Sequence, residues 1–274
     1  MRGIVFGRRE GFGGQSLRQW SYERKAHGFA AKVYARFMGG LLESVTRDRR
    51  VLVAVAAPAE ARAVLGGFGG ANADPDGAET AWKLVAVSDR FDVVVTGVGK
   101  ANAAGAVARV TDPARHGAVL SVGVAGALPR GGAELPLRAT VAAQAAAYAD
   151  EGSATEHGFV DIAALGFAPV SGGGMTFAAD PELVKLLRPG VDAVGVVATV
   201  STCSGTDALA AEIARRTGAV AEEMEGAAVA LAARRLGIPF AEVRVISNTT
   251  GDRARQRWDL RGALERLSDV CSRL

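Results

Sequence analysis

From residue 51 onward, short apolar runs alternate with stretches of helical spacing, and glycine-rich turns separate them. Residues 51–56 form a continuous apolar run of the kind a strand buried on both faces requires. Pro58 suits the first turn of a helix that continues to about residue 65 and stops at Gly66-Gly67, with Glu60 inside that turn. Strands are predicted over 82–87, 92–96, 118–122, 140–147, 194–200 and 240–247, and helices over 101–110, 208–216, 222–236 and 260–274. The helix over 222–236 is the longest, and it ends at Gly237 with Pro239 beyond. Strands alternating with helices predict a single α/β domain with helices on both faces of a central sheet, a three-layer αβα arrangement.

Composition divides the chain. Of 274 residues, the first 50 carry 11 Lys and Arg against 4 Asp and Glu, whereas the rest carries 21 against 25. The net charge of +3 therefore comes from residues 1–50, and residues 51–274 are mildly acidic. This pattern gives no nucleic-acid footprint. Residues 1–50 read as a basic N-terminal extension, either disordered, an organelle-targeting segment, or translated upstream of a native start at Met38 and so no part of the native protein. A weak amphipathic helix is predicted there over about 26–45. Residues 51–274 read as the catalytic domain. The two cysteines, Cys203 and Cys271, indicate neither a disulfide framework nor a zinc site. No apolar run approaches the roughly 18 residues of a membrane span, and no secretory signal is visible, so a cytoplasmic location is expected.

In α/β sheets, ligands sit beyond the carboxyl ends of strands. Four predicted strand ends carry unusual sequence: Gly97-Val98-Gly99-Lys100, Gly123-Val124-Ala125-Gly126, Thr202-Cys203-Ser204-Gly205-Thr206 and Ser247-Asn248. Asn102 stands where a dinucleotide fingerprint needs its third glycine, and the Walker A spacing is absent. Tight turns account for any one of these glycine clusters taken alone. Glu222, Glu223 and Glu225 crowd the predicted start of a helix, where the helix dipole alone accounts for Glu222 and Glu223. Glu225 precedes the small residues Gly226, Ala227 and Ala228, so it can reach a ligand and accept hydrogen bonds from two vicinal hydroxyls. Glu60 serves either the dipole of its helix or a general base that activates water.

Four of these segments, in order, resemble the nucleoside phosphorylase/nucleosidase superfamily: Gly97-Val98-Gly99-Lys100, Ser121-Val122-Gly123-Val124-Ala125-Gly126, Glu223-Met224-Glu225-Gly226-Ala227-Ala228 and Arg244-Val245-Ile246-Ser247-Asn248. Within it, the likeness is closer to the futalosine hydrolase family. It rests on Tyr148-Ala149-Asp150-Glu151-Gly152, on Gly158-Phe159 and Leu165-Gly166-Phe167, on residues 199–206, and on the stretch from Ile246 through Arg253 to Trp258. The resemblance implies a mixed central sheet, a purine nucleoside as small-molecule substrate, no metal or organic cofactor, and a homodimer or larger homo-oligomer. It implies that Glu60 holds the attacking water and that Glu225 binds the ribose hydroxyls against Met224. It also implies that Val124, Ala125 and Gly126 line the ribose and base site, and that Gly205 and Thr206 meet the purine.

Two departures bear on the substrate. Adenine-cleaving relatives carry an aromatic ring near the position of Gly205, and an aspartic acid where this chain has Asn248. Asn248 cannot deliver a proton, but it can donate a hydrogen bond to the imidazole side of a purine as charge builds there. That suits hypoxanthine, which leaves more readily as an anion than adenine does. The expected reaction is hydrolysis of futalosine in menaquinone synthesis. Arg253, Arg255 and Arg257 are candidate partners for the benzoate of that substrate, with solvated surface charge as the other account of each. A purine nucleoside phosphorylase, a methylthioadenosine/S-adenosylhomocysteine nucleosidase and a non-catalytic purine-nucleoside-binding protein are the alternatives. Arg244 falls inside a predicted strand, where it needs a carboxylate partner that the sequence does not identify.

Overall fold

The computed structural model describes residues 44–70 and 82–274. The helix predicted over about 26–45 and most of the basic extension lie outside them. Residues 44–50 are tied to the α/β unit: Thr46 is buried, and Arg50 is the first residue of the first strand.

Among the described residues, nine strands form one mixed sheet. They are β1 (Arg50–Val55), β2 (Leu84–Ala86), β3 (Phe91–Val95), β4 (His116–Ala127), β5 (Thr140–Tyr148), β8 (Thr176–Ala178), β9 (Ala193–Thr199), β10 (Ala219–Glu223) and β11 (Phe240–Thr249). A separate hairpin pairs β6 (Gly152–Thr155) with β7 (Gly158–Asp161). The sheet order is β10-β9-β5-β11-β4-β1-β3-β2, with β8 beside β5. Strands β3, β1, β4 and β11 run parallel, as do β5, β9 and β10, and the two sets meet antiparallel at β11 and β5.

The sheet also closes on itself. The carboxyl half of the long β4 pairs antiparallel with β10, Ala127 opposite Ala221 and Gly126 opposite Glu222. Strands β4, β11, β5, β9 and β10 thus form a ring. Its inside is filled by small and branched residues, including Ala125, Ala127, Val141, Ala143, Val197, Ala221 and Ile246. Closure leaves no free edge among these strands, and small side chains are what so tight a ring accommodates.

The helices are α1 (Pro58–Gly67), α2 (Lys100–Val110), α3 (Pro181–Leu187), α4 (Asp207–Thr217), α5 (Gly226–Leu236) and α6 (Leu260–Cys271). Helix α1 packs on α6, and α2 packs on α5. One apolar cluster joins α2 and α5 to Leu52, Ala54, Val94 and Val119, alternate residues of the central strands, so the pleat sends the next residue of each to the opposite face.

Several boundaries differ from those predicted. The strand expected over 82–87 is only Leu84–Ala86, because Trp82 adopts φ +47° and donates its indole N–H to Thr96 O at 2.8 Å. The strand expected to end at residue 122 runs on through the glycine motif to Ala127, and that over 240–247 reaches Thr249. The helix expected over 222–236 begins at Gly226, since residues 219–223 are β10. Pairing with both β9 and β4 extends that segment, and Glu225 keeps a non-helical φ of −132°. The last helix ends at Cys271 rather than residue 274. The hairpin, β8 and α3 are short, and the polarity pattern carries no clear period for them.

Candidate active site

A cavity of about 270 Å³ opens at the carboxyl ends of the parallel strands, near the lower end of the roughly 300–1,000 Å³ usual for small-molecule sites. Its lining includes Glu60, Val124, Ala125, Gly126, Glu222, Glu223, Met224, Glu225, Asn248, Arg253 and Trp258. Residues more than 180 positions apart thus share one cleft, because β4 borders both β11 and β10.

Glu60 sits in the first turn of α1 and is buried. Its Oε2 accepts from the backbone N–H of Ala57 at 2.9 Å, closing half of a capping box. Its Oε1 accepts from Val124 N at 2.8 Å, across from the helix. A Cβ at Gly123 would lie 2.6 Å from Glu60 Oε1 and 2.5 Å from Arg244 Nη1, so glycine there lets both groups approach the strand.

Glu225 stands at the N-cap position of α5, and its Oε1 accepts from Gly99 N at 2.9 Å. Gly99 presents that N–H from a left-handed backbone, φ +97°, which a side chain would disfavour. Burial and the neighbouring Glu223 push the Glu225 carboxyl up to about 7, against the opposing pull of Arg244 and the Gly99 N–H. The neighbour Glu223 holds the start of α5. Its Oε2 accepts from the N–H groups of Glu225 and Gly226 at 2.6 and 2.7 Å, and its Oε1 accepts from Thr199 Oγ1. Glu222 accepts on both oxygens from Ser204, from N at 2.8 Å and from Oγ at 2.5 Å. Glu222 and Glu223 are therefore strand residues: Glu222 is bound by Ser204, while Glu223, from the strand, accepts from the N–H groups that open α5 and so does serve that helix's N-terminus.

Arg244, fully buried, is the cation beneath these acids. It lies 2.7 Å from Glu223, 2.8 Å from Glu242 and 3.6 Å from Glu225, and it donates to Ser121 Oγ at 2.8 Å. These acids are the partners the sequence left unnamed. Burial alone would lower the pKa of Arg244, but Glu223, Glu242, Glu225 and Glu60 outweigh that and hold it firmly charged. Glu242 has no outlet to water, and its Oε2 lacks a hydrogen-bond partner. Burial, then Glu223, pushes it up to about 8, against the opposing pull of Arg244. A Cβ at Gly226 would lie 2.4 Å from Glu242 Oε1, so the glycine after Glu225 makes room for this acid.

The other end of the cleft is built from β11 and the segment that follows it. Asn248 accepts on Oδ1 from Ser247 Oγ at 2.9 Å and donates from Nδ2 to Thr249 O at 3.0 Å, which leaves one N–H for a ligand. Residues 249–259 fold back along β11, with Trp258 bridged to Asn248 and its indole N–H donating to Gln256 Oε1 at 3.2 Å. Arg253 lies 5.5 Å over the Trp258 ring. Trp258 is the only aromatic ring in the lining among the described residues. The sequence placed it within a matching stretch without a role.

Three expected binding residues do not line the cavity. Thr206 caps α4, accepting from Leu209 N at 3.2 Å, and the Gly205 carbonyl accepts from Arg253 N at 3.1 Å. Cys203 and Ser204 border the cleft in their place. Arg257 is exposed, its backbone N–H donating to Thr249 Oγ1 at 3.0 Å, and Arg255 is engaged with Asp207 and Asp252. The loop before Gly205 is pinned by Asp150, which accepts from Ser201 N and Thr202 N at 2.6 and 3.0 Å and pairs with Lys100.

Comparison with known proteins adds family membership to this geometry. Residues 82–274 match the model of the phosphorylase superfamily. A futalosine hydrolase from Acidothermus cellulolyticus is 37% identical over 81% of this chain and 89% of its own length. One from Streptomyces coelicolor is 36% identical over 68% and 79%. Among solved structures, the 5′-methylthioadenosine/S-adenosylhomocysteine nucleosidase of Neisseria meningitidis, in complex with methylthio-immucillin-A, superposes with a TM-score of 0.62 at 22% identity. The superposition covers 82% of this chain and 97% of that one, and it establishes the common fold. The chain belongs to the phosphorylase superfamily and, within it, to the futalosine hydrolase family.

Proposed function

We propose that this protein hydrolyses the N-glycosidic bond of futalosine, releasing hypoxanthine and dehypoxanthine futalosine as a step of menaquinone synthesis. The observation that carries the reading is the meeting of Glu60, Glu225 and Asn248 in one cleft, with Met224 beside them. Glu225 accepts hydrogen bonds from the ribose hydroxyls. Glu60 takes a proton from water as the water oxygen bonds to the anomeric carbon. The carbon–nitrogen bond breaks through an oxocarbenium-like transition state, and its electron pair leaves with the base. Asn248 donates to the imidazole side of that departing anion, which then takes a proton from solvent. Val124, Ala125 and Gly126 form the floor, and Trp258 is the ring available to the base. Arg253 is the cation available to the benzoate arm.

The test is incubation with futalosine followed by chromatography for hypoxanthine, with and without phosphate. Release that does not need phosphate supports hydrolysis. Release that requires it makes the protein a phosphorylase, and tight binding without turnover makes it a binding protein. Action in the cytoplasm as a homo-oligomer is part of the same proposal, and light scattering of the purified chain checks the assembly.

A further inference from the structure

Lys100, which ends the first glycine motif, and the segment 148–152 have no part in the mechanism above. The fold brings them together. Strands β5 and β9 run parallel, with Tyr148 opposite Thr199 at their carboxyl ends. Asp150 and Ser201 each stand two residues beyond that pair, so the two chains leave the sheet side by side. Asp150 Oδ2 accepts from the backbone N–H groups of Ser201 and Thr202 at 2.6 and 3.0 Å. Its Oδ1 takes the ammonium of Lys100, which also reaches Glu151 Oε1 at 2.9 Å and lies 5.3 Å from the centre of the Tyr148 ring.

A lysine at this position needs a reason. Lys100 is the first residue of α2, whose first turn holds no acid and whose N-cap, Gly99, makes no side-chain cap. A cation there opposes the helix dipole. Asp150 and Glu151 offset that and draw the mostly buried side chain onto the end of β5. The turn gains an anchor by it. A Cβ at Gly99 would meet nothing within 4 Å, so nothing packs against the residue on that side. Yet its N–H must stay aimed at Glu225 Oε1, 2.9 Å away. Asp150 therefore serves two segments. Through Lys100 it steadies the turn whose Val98 lines the cleft and whose Gly99 holds Glu225. Directly, it holds the loop whose Cys203 and Ser204 also border the cleft, although neither Asp150 nor Lys100 lines it.

We propose that Asp150 is a positioning residue that, with Lys100, joins the turn at 98–99 to the loop at 201–204 and so sets how tightly the nucleoside is held. This inference rests on the nucleosidase reading above and deepens it. Both segments border the substrate before the bond breaks as well as while it breaks. Losing the joint weakens ground-state and transition-state binding alike, and uniform loss of that kind raises KM and leaves kcat nearly unchanged.

The experiment breaks the joint from either end. Asp150→Asn keeps the size of the side chain and an acceptor for the loop, but removes the charge that holds Lys100. Lys100→Met removes the ammonium. In each variant KM for futalosine is expected to rise about tenfold or more, with kcat within about threefold of wild type. The double variant is expected to lie within about threefold of the worse single one, because both break the same contact. A KM within threefold of wild type in both single variants would overturn the proposal, as would a fall in kcat at unchanged KM, which marks ordinary support of the fold. Amide hydrogen exchange supplies a readout that needs no turnover. In Asp150→Asn the amides of residues 97–100, which Asp150 reaches only through Lys100, are expected to exchange about tenfold faster or more, while those of residues 263–270 stay as in wild type. Unchanged exchange at 97–100 overturns the proposal. Failure of the wild type to release hypoxanthine would instead sink the nucleosidase reading, with the exchange measurement still deciding whether the joint exists.

Discussion

The two ends of the sheet treat charge in opposite ways. At the amino end of the central strands, one carboxylate is surrounded by bases. Asp92 is buried and accepts from Arg50 at 2.7 and 2.9 Å and from Arg115 at 2.8 and 2.9 Å. The buried His116 lies 3.1 Å from it through Nε2 and accepts from Asp112 N through Nδ1, which makes Nε2 the protonated nitrogen. Burial works to raise Asp92, but these donors prevail and hold its carboxyl well below the usual range. At the carboxyl end the ratio inverts. Glu60, Glu223, Glu225 and Glu242 gather around Arg244, and Glu225 and Glu242 are pushed up. Satisfied charge suits a structural clamp. A surplus of acid over base leaves carboxyl groups able to take hydrogen bonds or protons from a ligand, at the cost of burying them.

The comparison breaks most readily at Glu60. Glu60→Gln keeps the shape but removes the base, and kcat is expected to fall about 10²- to 10⁴-fold with the circular dichroism spectrum unchanged. A loss of less than threefold removes Glu60 from the reaction. Asn248→Ala is expected to lower kcat/KM for futalosine about 10²- to 10³-fold, as loss of a preorganised donor does. A smaller drop on futalosine than on inosine would show that the amide serves something other than the base.

Acid should act next. Glu225 must be ionised to accept two hydroxyls, and its pKa is raised to about 7. Activity is therefore expected to be full above pH 8 and to decline by up to about tenfold per unit below 7. A kcat/KM profile flat from pH 8 to 5.5 contradicts this assignment.

Asp92→Ala should leave catalysis alone. A loss of about 1–3 kcal/mol of folding stability is expected at pH 7, with kcat per folded molecule within twofold of wild type. Because the folded-state pKa of Asp92 is depressed, its contribution is present above its unfolded pKa of about 3.9 and fades as pH falls below that. Urea midpoints of wild type and variant should converge toward acid pH. A variant that keeps its stability but loses turnover would erase the distinction between the two ends.

Much of the fold was legible because burial imposes a period. The continuous apolar run at the start of β1 and the Gly237 stop of α5 act locally, and both lie within one or two residues of where pattern reading placed them. The start of the helix expected from Glu222 was misplaced for an equally physical reason. Ala-Val-Ala-Glu-Glu is compatible with a helix, and only pairing with β9 and β4 makes it a strand. Thr206 and Gly205 sat in a matching motif, but whether a motif residue caps a helix or faces a ligand depends on a turn of the backbone. Trp258 was visible only as part of a stretch, since its place beside Asn248 depends on residues 249–259 folding back along β11.

By itself, the chain of residues determined the alternating α/β order, the glycine-flanked strand ends and the identity of the acids and the amide, since these follow from local preference and side-chain chemistry. Tertiary structure alone decided which acids share Arg244 and which carboxyl groups are pushed up. Those outcomes depend on the ring closure of β4 with β10. Electrostatic energies and hydrogen bonds vary with distance in space, and distance along the chain does not predict it.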